Sequence, residues 1–210
     1  MPHVVLLGDS ILDNGAYTSG GPDVISQLKN ILPPGWRATW AAVDGATTED
    51  VAAQFGALPV DATHAVLSVG GNDAINHADL LDIRVRSSAE ALARLADAAE
   101  EFEARYRRVI AGLRAHDIAL AICTIYNGSF PDPAFQRVAS AALAVFNDAI
   151  LRVAFEEALT VIDLRLICDQ PGDYANPIEP SVRGGAKIAA AIGRMLELPP
   201  SANHMARVLA

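Results

Sequence analysis

Five apolar runs of strand length, separated by segments with helical patterns, dominate this chain of 210 residues. The runs lie at residues 4–7, 38–43, 64–69, 118–125 and 159–162. Each is apolar on both faces, which is typical of parallel strands covered by helices on both sides of a sheet. The alternation predicts an α/β fold, namely a three-layer α/β/α sandwich around a five-stranded parallel sheet with right-handed crossovers.

The segments between these runs carry signals for helix starts and ends. Helices are expected over residues 23–31, 48–55 and 88–116, and Asp132-Pro133 supplies an N-cap and a first-position proline for another. Ser181 caps a last helix, which Pro199-Pro200 ends. Because no linker or repeat divides the chain, we expect one domain over residues 1–200. Residues 201–210 lie outside the alternation and are expected to form a flexible tail, a lid or an arm on a partner.

The charge and the apolar content of the chain exclude two classes of partner. The formal net charge is -9 and basic residues form no run, so we expect no nucleic-acid binding. The first residues lack a basic n-region and a cleavage site, and no apolar stretch approaches the ~20 residues of a membrane helix. A cytoplasmic protein without a membrane span is therefore expected. Cys123 and Cys168 are expected to be reduced thiols rather than a disulfide.

Short clusters of glycine and polar residues follow the first three apolar runs. These clusters are Gly8-Asp9-Ser10, Asp44-Gly45-Ala46-Thr47 and Gly70-Gly71-Asn72-Asp73. Because parallel strands present their carboxyl ends at one edge of a sheet, the clusters should meet there. A serine at such a turn can attack a carbonyl carbon while backbone N–H groups and an asparagine amide receive the developing charge. Each cluster taken alone is also ordinary turn chemistry.

With these clusters the chain resembles the SGNH/GDSL hydrolase superfamily over nearly its full length. The resemblance implies a flavodoxin-like sandwich and a hydrolase of carboxylic esters, of esterase, acetylesterase or thioesterase type. It also implies that Ser10 is the nucleophile, and that the amides of Ser10 and Gly45 and the side chain of Asn72 form the oxyanion hole. No cofactor is implied, and the acids and histidines of the chain show no metal-ligand spacing.

The last motif of that superfamily departs from its usual pattern here. Where the superfamily normally has an aspartate and, three residues later, a histidine, this chain has Asn176 and Glu179. An asparagine amide can donate a hydrogen bond to a glutamate. We therefore expect Glu179 to accept the proton of Ser10, with Asn176 orienting the carboxylate. The reference glutamate pKa of about 4.3, and an analogy with serine peptidases of the sedolisin type, predict an acidic optimum unless burial raises that pKa.

Other interpretations of the replaced histidine remain open from the sequence. In one, a histidine from elsewhere reaches Ser10 and Glu179 orients its ring; His77 in the loop after Asn72 is the best candidate, and His204 is a more remote one. In another, the pocket is kept but turnover is lost, which would make the chain a ligand-binding or regulatory protein. A non-hydrolytic transferase on the same scaffold is a further alternative.

The acids near the expected site bear on the choice of substrate. Asp9, Asp13 and Asp73 would repel strongly anionic molecules, so a neutral ester or an acetylated sugar is the expected small-molecule partner. Asp9, Asp73, His77 and Tyr126 are the candidate substrate-binding residues, because they lie in or near the loops that follow the apolar runs. The sequence leaves the oligomeric state open.

Overall fold

Six parallel strands form the central sheet of the structure, a computed structural model that describes residues 1–197 and 206–210. The strands are β1 (His3–Gly8), β2 (Arg37–Trp40), β3 (His64–Ser68), β4 (Ala119–Cys123), β5 (Thr160–Ile162) and β6 (Arg207–Leu209). Their order across the sheet is β2-β1-β3-β4-β5-β6. β2 thus lies on one side of β1, and β3 and all later strands lie on the other side. This reversal leaves a crevice at the carboxyl ends of β1 and β3, where open α/β sheets bind ligands.

Helices cover both faces of this sheet. Those in the described residues are α1 (Val24–Ile31), α2 (Val51–Gln54), α3 (Gly71–Ile75), α4 (Ser88–Arg114), α5 (Pro133–Glu156), α6 (Leu164–Ile167) and α7 (Val182–Glu197). The carboxylates of Asp23 and Asp132 and the hydroxyl of Ser87 accept hydrogen bonds from N–H groups in the first turns of α1, α5 and α4. The helix expected over residues 48–55 is shorter, because α2 passes into a 3₁₀ turn over Phe55–Ala57.

Alternate side chains of the strands enter two separate cores, one on each face of the sheet. Leu6 of β1 packs in the core formed with α1 and α7, whereas Leu7 packs in the core formed with α4 and α5. The predicted three-layer α/β/α sandwich is confirmed by this arrangement. Cys123 and Cys168 are free thiols buried in the first of these cores.

The sheet has one strand more than the sequence predicts. Residues 207–209, expected in a tail outside the domain, form β6 and pair with β5 in parallel. Next to this pairing, the N–H of Asp163 donates to the carbonyl oxygen of Leu209 at 2.8 Å. Only Val208 and Leu209 of this strand are apolar, which is too short a run to predict a strand, whereas the run 159–162 predicts β5. The expected helix end at Pro199-Pro200 and the candidate His204 lie outside the described residues.

Helix α5 is long and apolar enough, by length and composition, to cross a membrane, with a mean hydropathy of 1.6 over an 18-residue window. This finding corrects the expectation that no apolar stretch approaches that length. Phe146, Ile150 and Val153 on the inner face of α5 are buried in the core beside α4. Packing in the sandwich therefore accounts for the apolar inner face of α5, while Phe135, Val138 and Phe155 on its other side are exposed.

Candidate active site

Ser10 lies where the chain leaves β1 and turns sharply. Gly8 has a φ of +119°, and a Cβ atom there would lie 1.7 Å from the carbonyl oxygen of Ser68, so only glycine fits. The N–H of Asp9 donates to the same Ser68 oxygen at 3.0 Å. Ser10 is 6% exposed. It lines a cavity of about 70 Å³ together with Asn72 and Glu179, which we call the Ser10 cavity.

The side chain of Gln54 in α2 fixes the end of β1. Its Oε1 accepts from the N–H of Gly8 and its Nε2 donates to the Gly8 carbonyl oxygen, both at 2.8 Å. Gln54 thus bonds both main-chain groups of Gly8 and holds the turn that presents Ser10. The sequence analysis missed this residue, because its partner lies 46 residues away and the contact leaves no local pattern.

Asn72 reaches the Ser10 cavity from the first turn of α3. Its Nδ2 donates to the carbonyl oxygen of Ala46 at 2.9 Å. Since an amide nitrogen carries two hydrogens, the second is available to a ligand in the cavity. This geometry suits a donor to an oxyanion.

Asp73 is buried beside Asn72, but its carboxylate is occupied by Thr48. Its Oδ2 accepts from the N–H of Thr48 at 3.0 Å and its Oδ1 accepts from the hydroxyl at 2.5 Å. These bonds tie the loop after β2 to α3, and Asp73 is not among the described residues that line the Ser10 cavity. The expectation that Asp73 binds substrate is therefore corrected, because its oxygens are used within the fold.

Gly45 lies in the turn after β2 with a φ of +80°. It is not among the described residues that line the Ser10 cavity. Within residues 1–197 and 206–210, the N–H groups of Gly45 and Ser10 make no hydrogen bond to the protein. The Ser10 N–H is thus free to donate to a ligand in the Ser10 cavity, as an oxyanion hole requires, whereas the free N–H of Gly45 lies outside the lining of that cavity.

Glu179 faces the Ser10 cavity from the loop before α7 and is 7% exposed. Burial raises its pKa from the ordinary 4.5 to about 7; the neighbouring Ser10 hydroxyl acts against this rise, and the negative charge of Asp44 adds to it. Its Oε2 has no hydrogen-bond partner among the described residues. A carboxyl group with this pKa titrates in the range where a histidine ordinarily does.

Asn176 contacts Glu179 through the main chain. Its Oδ1 accepts from the N–H groups of Ile178 and Glu179, each at 2.9 Å. The expected hydrogen bond from the Asn176 amide to the Glu179 carboxylate is therefore corrected. The short, exposed side chain of Asn176 instead stabilises the turn that carries the glutamate.

Two side chains from other elements hold this turn. The hydroxyl of Tyr126, which follows β4 and lines the Ser10 cavity, donates to the carbonyl oxygen of Ile178 at 2.6 Å. The Nδ2 of Asn14 donates to the carbonyl oxygen of Pro180 at 3.3 Å. These bonds bracket Glu179 on both sides and fix its backbone. Asn14 gives no signal in the sequence, because its partner is 166 residues away.

Two further acids influence the site. Asp9 lines the Ser10 cavity and is 2% exposed, and burial raises its pKa well above the usual range despite a hydrogen bond from the N–H of Ile11. Asp44, which adds to the rise of the Glu179 pKa, accepts from the hydroxyl of Tyr17 at 2.8 Å. Burial thus favours the neutral form of Asp9. Within the described residues, no three His, Cys, Asp or Glu side chains are grouped as metal ligands.

His77 lines a second, larger cavity and not the Ser10 cavity. Its ring lies 6.2 Å from the ring of Phe146, measured between centroids. Of the two candidate bases in the described residues, Glu179 is the one that shares a cavity with Ser10.

A match to a known protein family covers most of the chain. The sequence model of the GDSL-like Lipase/Acylhydrolase family matches residues 6–186. The chain belongs to this family. As a GDSL-like lipase/acylhydrolase it is an ester hydrolase, and Ser10, Asn72 and Glu179 all lie within the matched residues. No curated protein sequence matches the chain.

Solved structures similar to this GDSL-family chain include several enzymes. A lipase from a goat rumen metagenome has a TM-score of 0.74 at 16% identity and covers 95% of this chain and 99% of its own. An acetyl xylan esterase has a TM-score of 0.69 at 18% identity, and the match covers 92% of this chain and 99% of the esterase. A phospholipase A1 from Streptomyces albidoflavus has a TM-score of 0.65 at 18% identity, and the match covers 93% of this chain and 97% of the phospholipase. These likenesses show a shared fold.

Proposed function

We propose that this GDSL-family chain hydrolyses neutral carboxylic esters through an acyl-enzyme on Ser10, with Glu179 in place of a histidine base. The observation that supports the proposal is that Glu179 is buried in the same cavity as Ser10, where its pKa is raised to about 7. A general base is most effective when its pKa lies near the working pH. Burial thus gives this glutamate the proton affinity that histidine has ordinarily, and the acidic optimum expected from the sequence is replaced by a neutral one.

The reaction then has two steps. In the first, the Glu179 carboxylate takes the proton of the Ser10 hydroxyl as Oγ attacks the carbonyl carbon, and that proton passes to the departing alkoxide. In the second, Glu179 takes a proton from water, whose oxygen attacks the acyl-enzyme, and the proton returns to Ser10 as the carboxylic acid leaves. In both steps the N–H group of Ser10 and the amide of Asn72, which line the cavity, donate to the oxyanion, and the N–H group of Gly45 in the turn after β2 is the third expected donor.

The charges around the Ser10 cavity favour an uncharged ester. Asp44 and Asp13 lie together on the side of β2, where the N–H of Asp44 donates to Oδ2 of Asp13 at 3.0 Å. The charge of Asp44 is felt at Glu179, and carboxylates near the site repel anionic substrates. The similar structures include a lipase, a phospholipase A1 and an acetyl xylan esterase, so the same fold occurs in enzymes for different esters.

Hydrolysis of p-nitrophenyl butyrate between pH 4 and 9 tests the proposal. In the wild type, kcat/KM should rise with pH to a plateau above a pH of about 7, because the base must be deprotonated. Ser10→Ala should abolish turnover, and Glu179→Gln should lower kcat/KM by about 10²- to 10⁴-fold. Glu100→Gln, on the exposed side of α4, is the matched control and should behave as the wild type.

Three other results of these assays would change the proposed mechanism or function. Full activity of Glu179→Gln would contradict the assignment of the base. Loss of the pH-dependent rise in His77→Ala would make Glu179 the group that orients a histidine. If no ester gives a Ser10-dependent product while a ligand still raises the Tm, the chain is a ligand-binding protein.

A further inference from the structure

A second cavity, of about 290 Å³, adjoins the Ser10 cavity. It is bounded by the segment 74–81, by Leu95 of α4 and by Ala139, Ala142 and Phe146 of α5. Apart from His77, the side chains that line it in the described part of the chain are aliphatic or aromatic. We call it the apolar cavity. Its walls offer almost nothing to a polar or charged ligand.

The two cavities share one wall. Ile75, Leu143 and Ile178 line both of them. Ile178 directly precedes Glu179, and Ile75 lies one turn after Asn72 on α3. A chain attached to a carbonyl carbon in the Ser10 cavity can therefore extend into the apolar cavity along an apolar surface.

The opposite side of the Ser10 cavity is polar. The apolar cavity lies on the side of β3 and β4, whereas Asp44 follows β2 at the other side of β1. Asp44 is exposed and accepts from the hydroxyl of Tyr17 at 2.8 Å. An alcohol that leaves toward these groups reaches water, while the acyl group stays bonded to Ser10. The acyl group, rather than the alcohol, is thus the part of an ester that suits the apolar cavity.

We propose that the apolar cavity binds the acyl chain of the ester and that the enzyme prefers medium-chain acyl groups to acetyl. This inference rests on the function proposed above. A volume of about 290 Å³ holds roughly ten groups of the size of a water molecule or a methylene, so acyl chains of up to about ten carbon atoms fit. Each methylene that moves from water into the cavity should raise kcat/KM about fourfold.

The test compares kcat/KM for p-nitrophenyl esters from acetate to decanoate. In the wild type the ratio of octanoate to acetate should exceed about a hundredfold. Ala142→Phe and Ala78→Phe each place a ring in the apolar cavity, from opposite walls, and should lower this ratio at least tenfold. Ala141→Phe adds the same ring on the exposed side of α5 and should keep the wild-type ratio. A ratio near one in the wild type, or equal ratios in all three variants, would overturn the proposal.

A binding measurement separates failure of this proposal from failure of the proposed hydrolysis. Octanamide, which is uncharged, is titrated calorimetrically into the Ser10→Ala protein with and without Ala142→Phe. Octanamide should bind the Ser10→Ala protein, and it should bind the protein that also carries Ala142→Phe at least tenfold more weakly. Binding of octanamide without turnover of any ester would keep the acyl-chain site and refute hydrolysis. Equal hydrolysis of acetate and octanoate without octanamide binding would keep hydrolysis and refute the site.

Discussion

Glu179 is buried in the folded protein and surrounded by water in the unfolded chain, so its protonation affects stability as well as chemistry. Its pKa is about 7 in the fold and 4.5 ordinarily. Between these values the folded protein holds a proton that the unfolded chain has released. The stability that the neutral carboxyl contributes is therefore complete below a pH of about 4.5 and is lost as the pH rises through about 7.

Glu179→Gln should remove this dependence of stability on pH. The rise of the pKa from 4.5 to about 7 corresponds to about 3 kcal/mol. The wild-type free energy of unfolding should therefore fall relative to that of Glu179→Gln between pH 5 and pH 8, by at most this amount. Urea denaturation at the two pH values measures the change, with Glu100→Gln as the control that should follow the wild type. If the free energies of unfolding of the wild type and Glu179→Gln differ by the same amount at pH 5 and at pH 8, the raised pKa is contradicted.

The residues of the site differ in how far the sequence reveals them. Ser10 and Asn72 are predictable as neighbours because each follows a buried parallel strand, and strand ends share one edge of the sheet. Gln54 is not predictable, because its bonds to Gly8 cross 46 residues. The role of Thr48 is likewise not predictable, because its hydrogen bonds to the carboxylate of Asp73 follow no periodic sequence pattern. Long-range side-chain hydrogen bonds form only once the fold has brought the loops together.

At the scale of elements, the turn that carries Glu179 depends on a side chain from the loop after β4. Tyr126→Phe removes the hydroxyl that donates to the Ile178 carbonyl oxygen at 2.6 Å, and keeps the ring. A lost hydrogen bond of about 1 kcal/mol should loosen the turn and lower kcat roughly fivefold. KM for p-nitrophenyl butyrate should stay nearly unchanged, because the wall of the cavity is preserved. Steady-state kinetics separate the two parameters.

Tyr174→Phe supplies the matched control for that variant. The Tyr174 hydroxyl also donates to a main-chain carbonyl oxygen at 2.6 Å, but the acceptor is Cys168, away from the residue that precedes Glu179. The rings of Tyr126 and Tyr174 pack edge to face at 5.0 Å, so both variants keep the same aromatic contact. Equal losses of kcat in the two variants would show that Tyr126 acts only through general packing.

The length of an element decides how well its sequence predicts it. The residues of α4 and α5 repeat their apolar pattern over several turns, so α4 is predicted with nearly its observed bounds and α5 with its observed start. α2 has four residues and β6 has three. β5 also has three, but the apolar run 159–162 predicts it, whereas only Val208 and Leu209 are apolar in β6. Such short elements are fixed by tertiary contacts, which for β6 are the main-chain bonds to β5. The sequence therefore predicts the sandwich but not the edge strand of its sheet.

At the scale of the whole molecule, the sheet order separates the site from one edge. The Ser10 cavity lies at the ends of β1, β3 and β4, whereas β6 pairs with β5 at the far edge. β6 therefore covers main-chain groups of β5 that would otherwise form an open edge. Stability and self-association should respond to changes at this edge, and chemistry should not.

Deletion of residues 206–210 tests that separation. The deletion removes the main-chain bonds of β6 and the contact of Leu209 with the core, so the free energy of unfolding should fall by about 2 kcal/mol. The exposed edge of β5 should also promote association, seen as earlier elution in size-exclusion chromatography. Val208→Lys is the control: this side chain is 51% exposed, and the substitution keeps the main-chain pairing, so it should cost less than half as much. For the folded deletion variant, kcat/KM with p-nitrophenyl butyrate should match the wild type; a loss of activity at full folding would show that the edge strand and the Ser10 cavity are coupled.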